Sequence, residues 1–130
     1  MSRSTADRRQ AQRAGVWAET VSALVLRLKG YRILERNWRT PVGEADIVAS
    51  KGQTLAFVEV KRRATVEGAI ESVSPRQQQR IYRAAEAFLA SHPHCANMHV
   101  RFDLMAIVPF RWPAHSRAAW GHDNAPSRRD

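Results

Sequence analysis

Residues 55–63, LAFVEVKRR, constrain the fold of this chain more than any other stretch of its sequence. The apolar, β-branched and aromatic residues at its start predict a β-strand, and the positive charges come only at its end. Because successive strand side chains point to opposite faces, we expect Phe57, Glu59 and Lys61 on one face. A carboxylate beside an apolar core is costly, so Glu59 should form either an ion pair with Lys61 or part of a functional site.

A second strand-like run at residues 44–49 contains Asp46, and SKGQ at residues 50–53 predicts a hairpin turn between the two runs. In the register that this turn predicts, Asp46 lies opposite Phe57 and diagonal to Glu59. Directly opposite residues share a face, so Asp46 and Glu59 are expected to converge with the lysine on one surface. A slip of one residue would send Asp46 to the other face, so this prediction depends on register.

Length and composition favour a single soluble domain in a reducing compartment. A chain of 130 residues is long enough to bury a core, and its single cysteine, Cys95, excludes an internal disulfide framework. No uncharged apolar run approaches the ~18–20 residues of a membrane span, and the polar N-terminus lacks the apolar segment of a secretory signal. We therefore expect a cytoplasmic protein with no membrane partner.

The net charge of +9 favours a polyanionic partner, but much of this charge lies near the ends of the chain. Residues 15–110 hold 13 Lys and Arg against 9 Asp and Glu, whereas the remaining sequence is rich in arginine. Basic ends either add non-specific affinity for phosphates or only increase solubility. By composition we expect a flexible basic N-terminal tail at 1–13, a folded domain at 14–110 and a flexible C-terminal tail at 111–130.

Hydrophobic periodicity predicts the order αβββαβ, an α/β fold with a mixed central sheet flanked by helices. The predicted elements are a helix at about 14–29, strands at 31–39, 44–49 and 55–62, a loop at 63–73, a helix from Pro75 and a last strand at 100–108. The first helix carries an apolar stripe that includes Trp17, Leu24 and Leu28. It has further apolar residues on the opposite side, where Glu19 also points, so it is either packed deeply or in contact with a second partner such as another subunit.

The second helix has a typical N-terminus. Ser74 is suited to the cap, Pro75 to the first helical position, and Gln77 completes a capping box. The arginines of this helix are expected mostly on its exposed flank, which is either a phosphate-facing edge or a solvated face. The residues that would bind a nucleic-acid backbone are Arg62, Arg63, Arg76, Arg80 and Arg83.

Asp46 and Glu59 suit a hard divalent cation, because Mg²⁺ prefers oxygen ligands and is typically held by one or two carboxylates plus substrate phosphate. Mg²⁺ or Mn²⁺ at this position would polarise a phosphoryl group and lower the pKa of a bound water. Lys61 would orient that water or neutralise the charge that develops on the phosphate. The alternative is a surface Glu59–Lys61 ion pair, typically worth under ~1 kcal/mol, with Asp46 an ordinary strand-end charge. The residues alone favour neither interpretation.

A loop near the end of the second helix holds other candidate metal ligands, namely His92, His94, Cys95 and His99. Their nitrogen and sulfur donors are acceptable to zinc, but they crowd into a short segment and miss the paired spacing of structural zinc sites. A polar connection between helix and strand is the favoured interpretation. The sequence holds neither a G-x-S-x-G nucleophile motif nor a Gly-rich phosphate-binding loop.

The motifs of this chain resemble those of the YraN family, a group of mostly uncharacterised bacterial proteins. The resemblance covers about residues 15–108 and rests on GYRILERNWR at 30–39, GEADIVA at 43–49, FVEVKRR at 57–63, SVSPRQQQRI at 72–81 and RFDL at 101–104. That family is placed by similarity with the restriction-endonuclease-like PD-(D/E)xK fold and is compared with archaeal Holliday-junction resolvases. The resemblance therefore implies a restriction-endonuclease-like core around the mixed sheet.

The resemblance also implies functional positions in this chain. It implies that Glu19 is an acid of the site on the first helix and that Asp46 and Glu59 are metal ligands. It also implies that Lys61 is the lysine of the site and that Gln78, near the start of the second helix, is an accessory residue. Two residues depart from the family pattern. Ala45 replaces a large apolar residue and thins the packing beside the metal ligand, and Gln77 replaces a lysine and removes one phosphate contact.

Together, the residues and the resemblance predict a metal-dependent endonuclease that hydrolyses phosphodiester bonds in DNA, including branched or otherwise structured DNA. Two other functions fit the same sequence. A non-catalytic nucleic-acid-binding module of this fold would bind DNA in a salt-dependent manner and without a metal requirement. A protein-interaction or dimerisation domain would use the two-sided first helix as its contact face and would form a homodimer.

Overall fold

The computed structural model describes the backbone of residues 5–121 and the side chains of residue 5 and residues 13–121, which form a five-stranded mixed sheet with helices on both faces. The elements are α1 Thr5–Leu28, β1 Arg32–Thr40, β2 Gly43–Lys51, β3 Thr54–Arg62, α2 Val66–Glu71, α3 Pro75–Ser91, a short 3-10 helix Pro93–Cys95, β4 His99–Ile107 and β5 Ala114–Ser116. The strands lie in chain order across the sheet. β3 and β4 are parallel, whereas the other neighbours are antiparallel. This architecture confirms the predicted α/β class with a mixed central sheet.

The strand β3 is buried on both faces of the sheet. Its residues 55–58 are completely inaccessible to solvent. On one face Val58 packs in a cluster with Leu26 of α1. On the other face the ring of Phe57 meets Phe88 of α3 edge-on, with 5.7 Å between the ring centroids. Cover on both faces explains the unbroken apolar run at the start of this strand, and the buried part of β3 extends as far as Glu59.

Gly43 sets the distance between β2 and α3. A Cβ atom at this position would lie 1.9 Å from the carbonyl oxygen of Arg80, so a larger residue would push the helix away from the sheet. At the same crossing Arg80 Nη2 lies 2.6 Å from Glu44 Oε1. These contacts hold α3 across β2 with its first turn near the end of β3.

The β2–β3 hairpin has a different register from the predicted one. Lys51 pairs with Thr54 and Val48 with Phe57, so the two loop residues are Gly52 and Gln53 rather than residues 51 and 52. Gly52 has a φ of 59°, which favours glycine at the first loop position. The strands are therefore shifted by two residues relative to the prediction, and Phe57 no longer lies opposite the site aspartate.

The helices extend beyond their predicted limits. α1 begins at Thr5 rather than near residue 14, and α2 occupies part of the segment predicted as a loop. The hydroxyl of Thr65 caps α2 by accepting a hydrogen bond from the Gly68 N–H at 2.9 Å. Although α1 has 24 residues, neither it nor any other helix within residues 5–121 is apolar enough to cross a membrane.

The strand β5 lies inside the segment that composition assigned to a C-terminal tail. It pairs with β4, and the buried carboxylate of Asp103 holds it through His115 Nε2 at 2.8 Å and the Ala118 N–H at 3.0 Å. Composition did not predict this contact because the aspartate belongs to a different strand, 12 positions before His115. The outer parts of the two predicted tails, residues 1–4 and 122–130, lie outside the described residues.

The helix α1 packs on the sheet through a narrow face that includes Ala23 and Leu26, both fully buried. The large side chains of Trp17, Leu24 and Leu28 are 57%, 54% and 70% exposed. The small Ala23 allows the helix to approach the sheet closely, whereas the bulkier stripe would hold it away. The stripe that the periodicity identified is therefore a surface feature, which leaves a second partner for this helix as an open alternative.

Candidate functional site

Asp46 lies where the β2–β3 ladder ends. The last paired residues are Ile47 and Val58, and one position further on Asp46 Oδ2 accepts a hydrogen bond from the Val60 N–H at 2.8 Å. The side-chain carboxylate of Asp46 therefore accepts the hydrogen bond from β3 that a backbone carbonyl of β2 would accept if the ladder continued. In the β1–β2 register Asn37 lies across from Asp46, and its φ of 53° makes this part of β1 irregular too. The two neighbouring strands thus open around the aspartate.

Glu59 is buried, with 5% of its surface exposed, and its carboxyl group is held from three sides. Gln77 Nε2, in the first turn of α3, lies 2.5 Å from Glu59 Oε2. Lys61 Nζ lies 3.5 Å from the same oxygen. The carboxyl group of Asp46 is also in hydrogen-bonding contact with that of Glu59. Asp46, Glu59 and Lys61 therefore meet at one point.

The surroundings of the two acids change their pKa values. Burial raises the pKa of Asp46, although the Val60 N–H, the Glu59 hydrogen bond and the Lys61 charge oppose this effect. Burial and then the negative charge of Asp46 raise the pKa of Glu59 to about 8, and Lys61 counteracts them only in part. Two buried carboxyl groups oppose each other's ionisation, so a cation beside them would favour the fully ionised pair.

Asp46 opens onto a cleft of about 430 Å³ between α1 and the ends of the central strands. Glu19 lines this cleft together with Asp46 and Lys61. Its carboxylate accepts a hydrogen bond from Arg36 Nε at 3.1 Å, while Arg36 Nη2 donates to Thr20 Oγ1 at 2.8 Å. The first-helix acid is thus in the cleft, where it forms an ion pair with Arg36.

The two glutamines at the start of α3 have different partners. Gln78 Nε2 donates to the carbonyl oxygen of Val73 at 3.1 Å, which ties the helix start to the preceding turn. Gln77 instead contacts Glu59, and it is the residue that sequence reasoning missed. Ser74 Oγ does cap the helix, accepting from the Gln77 N–H at 3.1 Å, so the predicted cap is confirmed. The Gln77 side chain is free to reach the acid because it does not complete the capping box.

The predicted backbone-binding arginines fall into two groups. Arg62 and Arg63 are exposed and line the cleft beside the acids, and Arg76 and Arg83 are exposed on α3. Arg80 is held by Glu44, as the Nη2–Oε1 distance of 2.6 Å and the Nε–Oε2 distance of 3.1 Å show. Arg80 therefore stabilises the β2–α3 crossing, whereas the other four guanidinium groups are accessible.

The donor set of the cleft fits a hard divalent cation. Asp46 and Glu59 present adjacent carboxylate oxygens, and their raised pKa values mean that a positive ion would relieve an unfavourable pair of charges. Among the side chains that the structure describes, no three His, Cys, Asp or Glu residues gather as potential metal ligands. The protein would thus supply two carboxylates, a number that suits Mg²⁺ or Mn²⁺ with water and substrate phosphate as further ligands.

The histidine-rich loop has a structural role instead. The ring of His92 stacks on Phe88 with 3.8 Å between the centroids, and its Nδ1 lies 2.9 Å from Ser91 Oγ. Cys95 is buried as a free thiol. These contacts place His92 and Cys95 against the protein, in agreement with the polar connection that the sequence favoured.

Comparison with known proteins identifies relatives along most of this chain. Residues 18–107 match the family described as "Uncharacterised protein family UPF0102". A UPF0102 protein of Methylocella silvestris is 50% identical over 90% of this chain and 94% of its own length. A UPF0102 protein of Parvibaculum lavamentivorans is 50% identical over 85% of this chain and 83% of its own length. A UPF0102 protein of Maricaulis maris is 48% identical over 89% of this chain and 91% of its own length. The matched span contains Glu19, Asp46, Glu59, Lys61 and Gln77.

Proposed function

The chain belongs to the uncharacterised protein family UPF0102, and from this membership and the geometry of its acidic cleft we propose that it is a metal-dependent phosphodiesterase acting on DNA. The observation that carries the proposal is the contact between the buried carboxyl groups of Asp46 and Glu59 beside Lys61. The motif resemblance to restriction-endonuclease-like proteins supports endonucleolytic cleavage, with branched or otherwise structured DNA as the substrate. The single cysteine, Cys95, supports a cytoplasmic location.

Asp46 and Glu59 would hold Mg²⁺ or Mn²⁺ in this proposal. When bound, the cation supplies Lewis-acid stabilisation of the charge that develops on the scissile phosphate. The chain prepares both carboxylates for this task, because the Val60 N–H orients Asp46 and the Gln77 amide orients Glu59. Ligands that are already oriented need little reorganisation when the ion and the substrate arrive.

Lys61 has a direct role in the proposed reaction. Its ammonium lies 3.5 Å from Glu59 Oε2, and Lys61 lines the cleft together with Asp46. A positive charge at this point would stabilise the negative charge that grows on the phosphate in the transition state, or would orient the attacking water. Glu19, held by Arg36 within the same cleft, would orient the cluster.

The exposed arginines would bind the DNA backbone. Arg62 and Arg63 border the cleft and would contact the phosphates nearest to the acids. Arg76 and Arg83 lie on α3 and would extend this contact, whereas Arg80 would have to leave Glu44 first. Charge-assisted contacts with phosphate position the substrate without reading its sequence. We therefore expect binding that weakens as salt increases.

Cleavage of a labelled DNA panel by purified protein tests the proposal. Single strand, duplex, flap, fork and four-way junction would each be incubated with Mn²⁺, Mg²⁺ or EDTA. Asp46→Ala and Lys61→Ala proteins control for contaminating nuclease, and Glu86→Ala, which changes an exposed acid of α3, controls for the substitution itself. Metal-dependent cutting that both cleft variants lose would establish the activity. Equal cutting by Asp46→Ala would reject it.

Two other functions have distinct outcomes in the same experiment. A non-catalytic DNA-binding module would bind without cutting, and Asp46→Ala would not change its affinity. A dimerisation domain is favoured by the exposed stripe of Trp17, Leu24 and Leu28 on α1. Sedimentation over a range of concentrations would then show a homodimer, and Leu24→Ala or Leu28→Ala would shift it towards monomer.

A further inference from the structure

A second groove of about 900 Å³ adjoins the acidic cleft. Arg62 and Arg63 line both spaces, so the groove and the cleft share a common border. The rest of the groove comes from α1 and from the segment between β4 and β5. Its aromatic and basic lining residues are Trp17, Arg62, Arg63, Phe110, Arg111 and Trp112.

Large aromatic rings face solvent along this groove. Phe110 is fully exposed, and Trp112 is 72% exposed. Phe110 also has a φ of 61°, a left-handed conformation that is unfavourable for a bulky residue. The rings of Trp17 and Trp112 belong to separate segments that line the same space. An aromatic side chain held in solvent by a strained backbone does not stabilise the fold, so a ligand is the better explanation.

The charge of the groove indicates the chemistry of that ligand. Three of the residues that line it are arginines, and none of the described lining residues is acidic. Guanidinium groups favour phosphates, and flat rings favour other flat, apolar surfaces. A ligand with both features is a nucleic-acid strand whose bases are not paired, because the bases of a duplex are stacked on each other and cannot lie on a protein ring.

We propose that this groove binds a single-stranded segment of nucleic acid, with unpaired bases stacked on Phe110, Trp112 and Trp17. Arg62, Arg63 and Arg111 bind its phosphates. The inference deepens the proposed phosphodiesterase function and rests on it in one respect: the shared arginines place the unpaired segment next to a phosphate in the acidic cleft. The preferred substrate is therefore DNA with a single-stranded segment beside the cleavage point, as in a flap or a fork, rather than continuous duplex.

Binding of labelled oligothymidylate and of labelled duplex, measured by fluorescence anisotropy in EDTA, tests the groove without cleavage. Trp112→Ala should weaken binding of the single strand by roughly fivefold or more, since stacking of one base typically contributes this much. The duplex should be affected much less. Trp112→Phe should retain most of the affinity because it keeps an aromatic ring. Val42→Ala, which removes an exposed apolar side chain of the β1–β2 turn outside both the groove and α1, is the matched control.

Phe110→Asn separates binding from folding. Asparagine tolerates a left-handed backbone better than phenylalanine, so this variant should keep or raise the melting temperature and still lose affinity for the single strand. Unchanged single-strand affinity in both Trp112→Ala and Phe110→Asn would overturn the inference. So would a change in oligomeric state without a change in affinity, because the groove would then be a contact between two copies of the chain.

The cleavage assay distinguishes failure of this inference from failure of the proposed function. If no substrate is cut but aromatic substitutions still weaken single-strand binding, the phosphodiesterase proposal fails and the groove assignment stands. If flap and fork are cut, and Trp112→Ala cuts them as fast as the parent protein at limiting substrate, the groove assignment fails and the phosphodiesterase proposal stands. Faster cutting of flap than of duplex, lost in Trp112→Ala, supports both.

Discussion

The carboxyl group of Asp46 is in hydrogen-bonding contact with that of Glu59, at the point where β2 and β3 separate. Both groups are largely buried, and Lys61 balances only part of their charge. A buried pair of like charges does not stabilise a fold, because desolvation and mutual repulsion both oppose ionisation. The pair is better explained by a cation that needs both carboxylates, and this explanation leads to tests that do not depend on finding the natural substrate.

The stability of the metal-free protein should depend on pH through Glu59. Its pKa in the folded state is about 8, above the ordinary value of 4.5, so the folded protein binds more protons than the unfolded chain between these values. The free energy of unfolding therefore decreases as pH rises through this range. In Glu59→Gln the free energy of unfolding should decrease less over this pH range. At pH values above the range, the variant should have a higher free energy of unfolding than the parent protein, by on the order of a few kcal/mol. Urea unfolding in EDTA at several pH values measures the effect, and equal slopes in both proteins would contradict it.

Divalent cations should stabilise the folded protein through the same pair. A ligand that binds only the folded state adds about 2.7 kcal/mol at a hundred times its dissociation constant, so the melting temperature should rise with Mn²⁺ or Mg²⁺. Asp46→Asn keeps an oxygen that can accept the Val60 hydrogen bond but removes the charge, and it should lose this response. Glu86→Gln, on the exposed side of α3, should keep it. A full response in Asp46→Asn would place the bound cation elsewhere.

The two glutamines of α3 should differ in their effect on metal binding. Gln77→Ala removes the amide that orients Glu59, and loss of such a supporting hydrogen bond typically weakens metal affinity by about 10–100-fold. Gln78→Ala removes a hydrogen bond to Val73 and should weaken metal affinity less. Titration of the melting temperature with Mn²⁺ gives both affinities, and Gln77→Glu, which adds a charge beside the pair, should raise the pH needed for binding. A larger loss of metal affinity in Gln78→Ala than in Gln77→Ala would instead favour Gln78, the accessory glutamine that the family resemblance implies.

Asp103 should control the stability of the C-terminal part of the fold. Burial alone would raise its pKa, but hydrogen bonds from His115, Arg101 and the Ala118 N–H outweigh burial and hold the pKa below its ordinary value. Asp103→Ala leaves Arg101 unpaired in a half-buried position and should destabilise the protein by about 3–5 kcal/mol, the usual range for one broken buried pair.

The pH dependence of this contribution is opposite to that of Glu59. Because the pKa of Asp103 is lowered in the folded state, the stabilisation is present above the ordinary aspartate pKa and disappears as pH falls through the folded value. Acid titration followed by circular dichroism should therefore show unfolding at a lower pH in the parent protein than in a protein without this carboxylate. Hydrogen exchange should show loss of protection first in β5. Coincident acid transitions in the parent and in Asp103→Asn would exclude this role.

Local pattern was enough to predict the convergence of Asp46, Glu59 and Lys61 on one surface. The predicted hairpin register was wrong by two residues, yet the acids still meet, because strand side chains alternate with a period of two and an even shift preserves the face. Ser74 was likewise identified as a helix cap from its neighbours alone. Alternation and capping depend on residues that are close in sequence, and for this reason the sequence determined them.

Only the tertiary structure decided which neighbours each element would meet. Gln77 rather than Gln78 reaches Glu59 because successive helix residues point in different directions and α3 lies on the sheet with Gln77 towards the acid, an orientation that no local pattern records. α1 buries the face that holds Ala23 and Leu26 and exposes Trp17, although periodicity marked both sides of the helix as apolar. These outcomes depend on the distances between segments remote in sequence. Packing selects them from alternatives that local propensity leaves nearly equal in free energy.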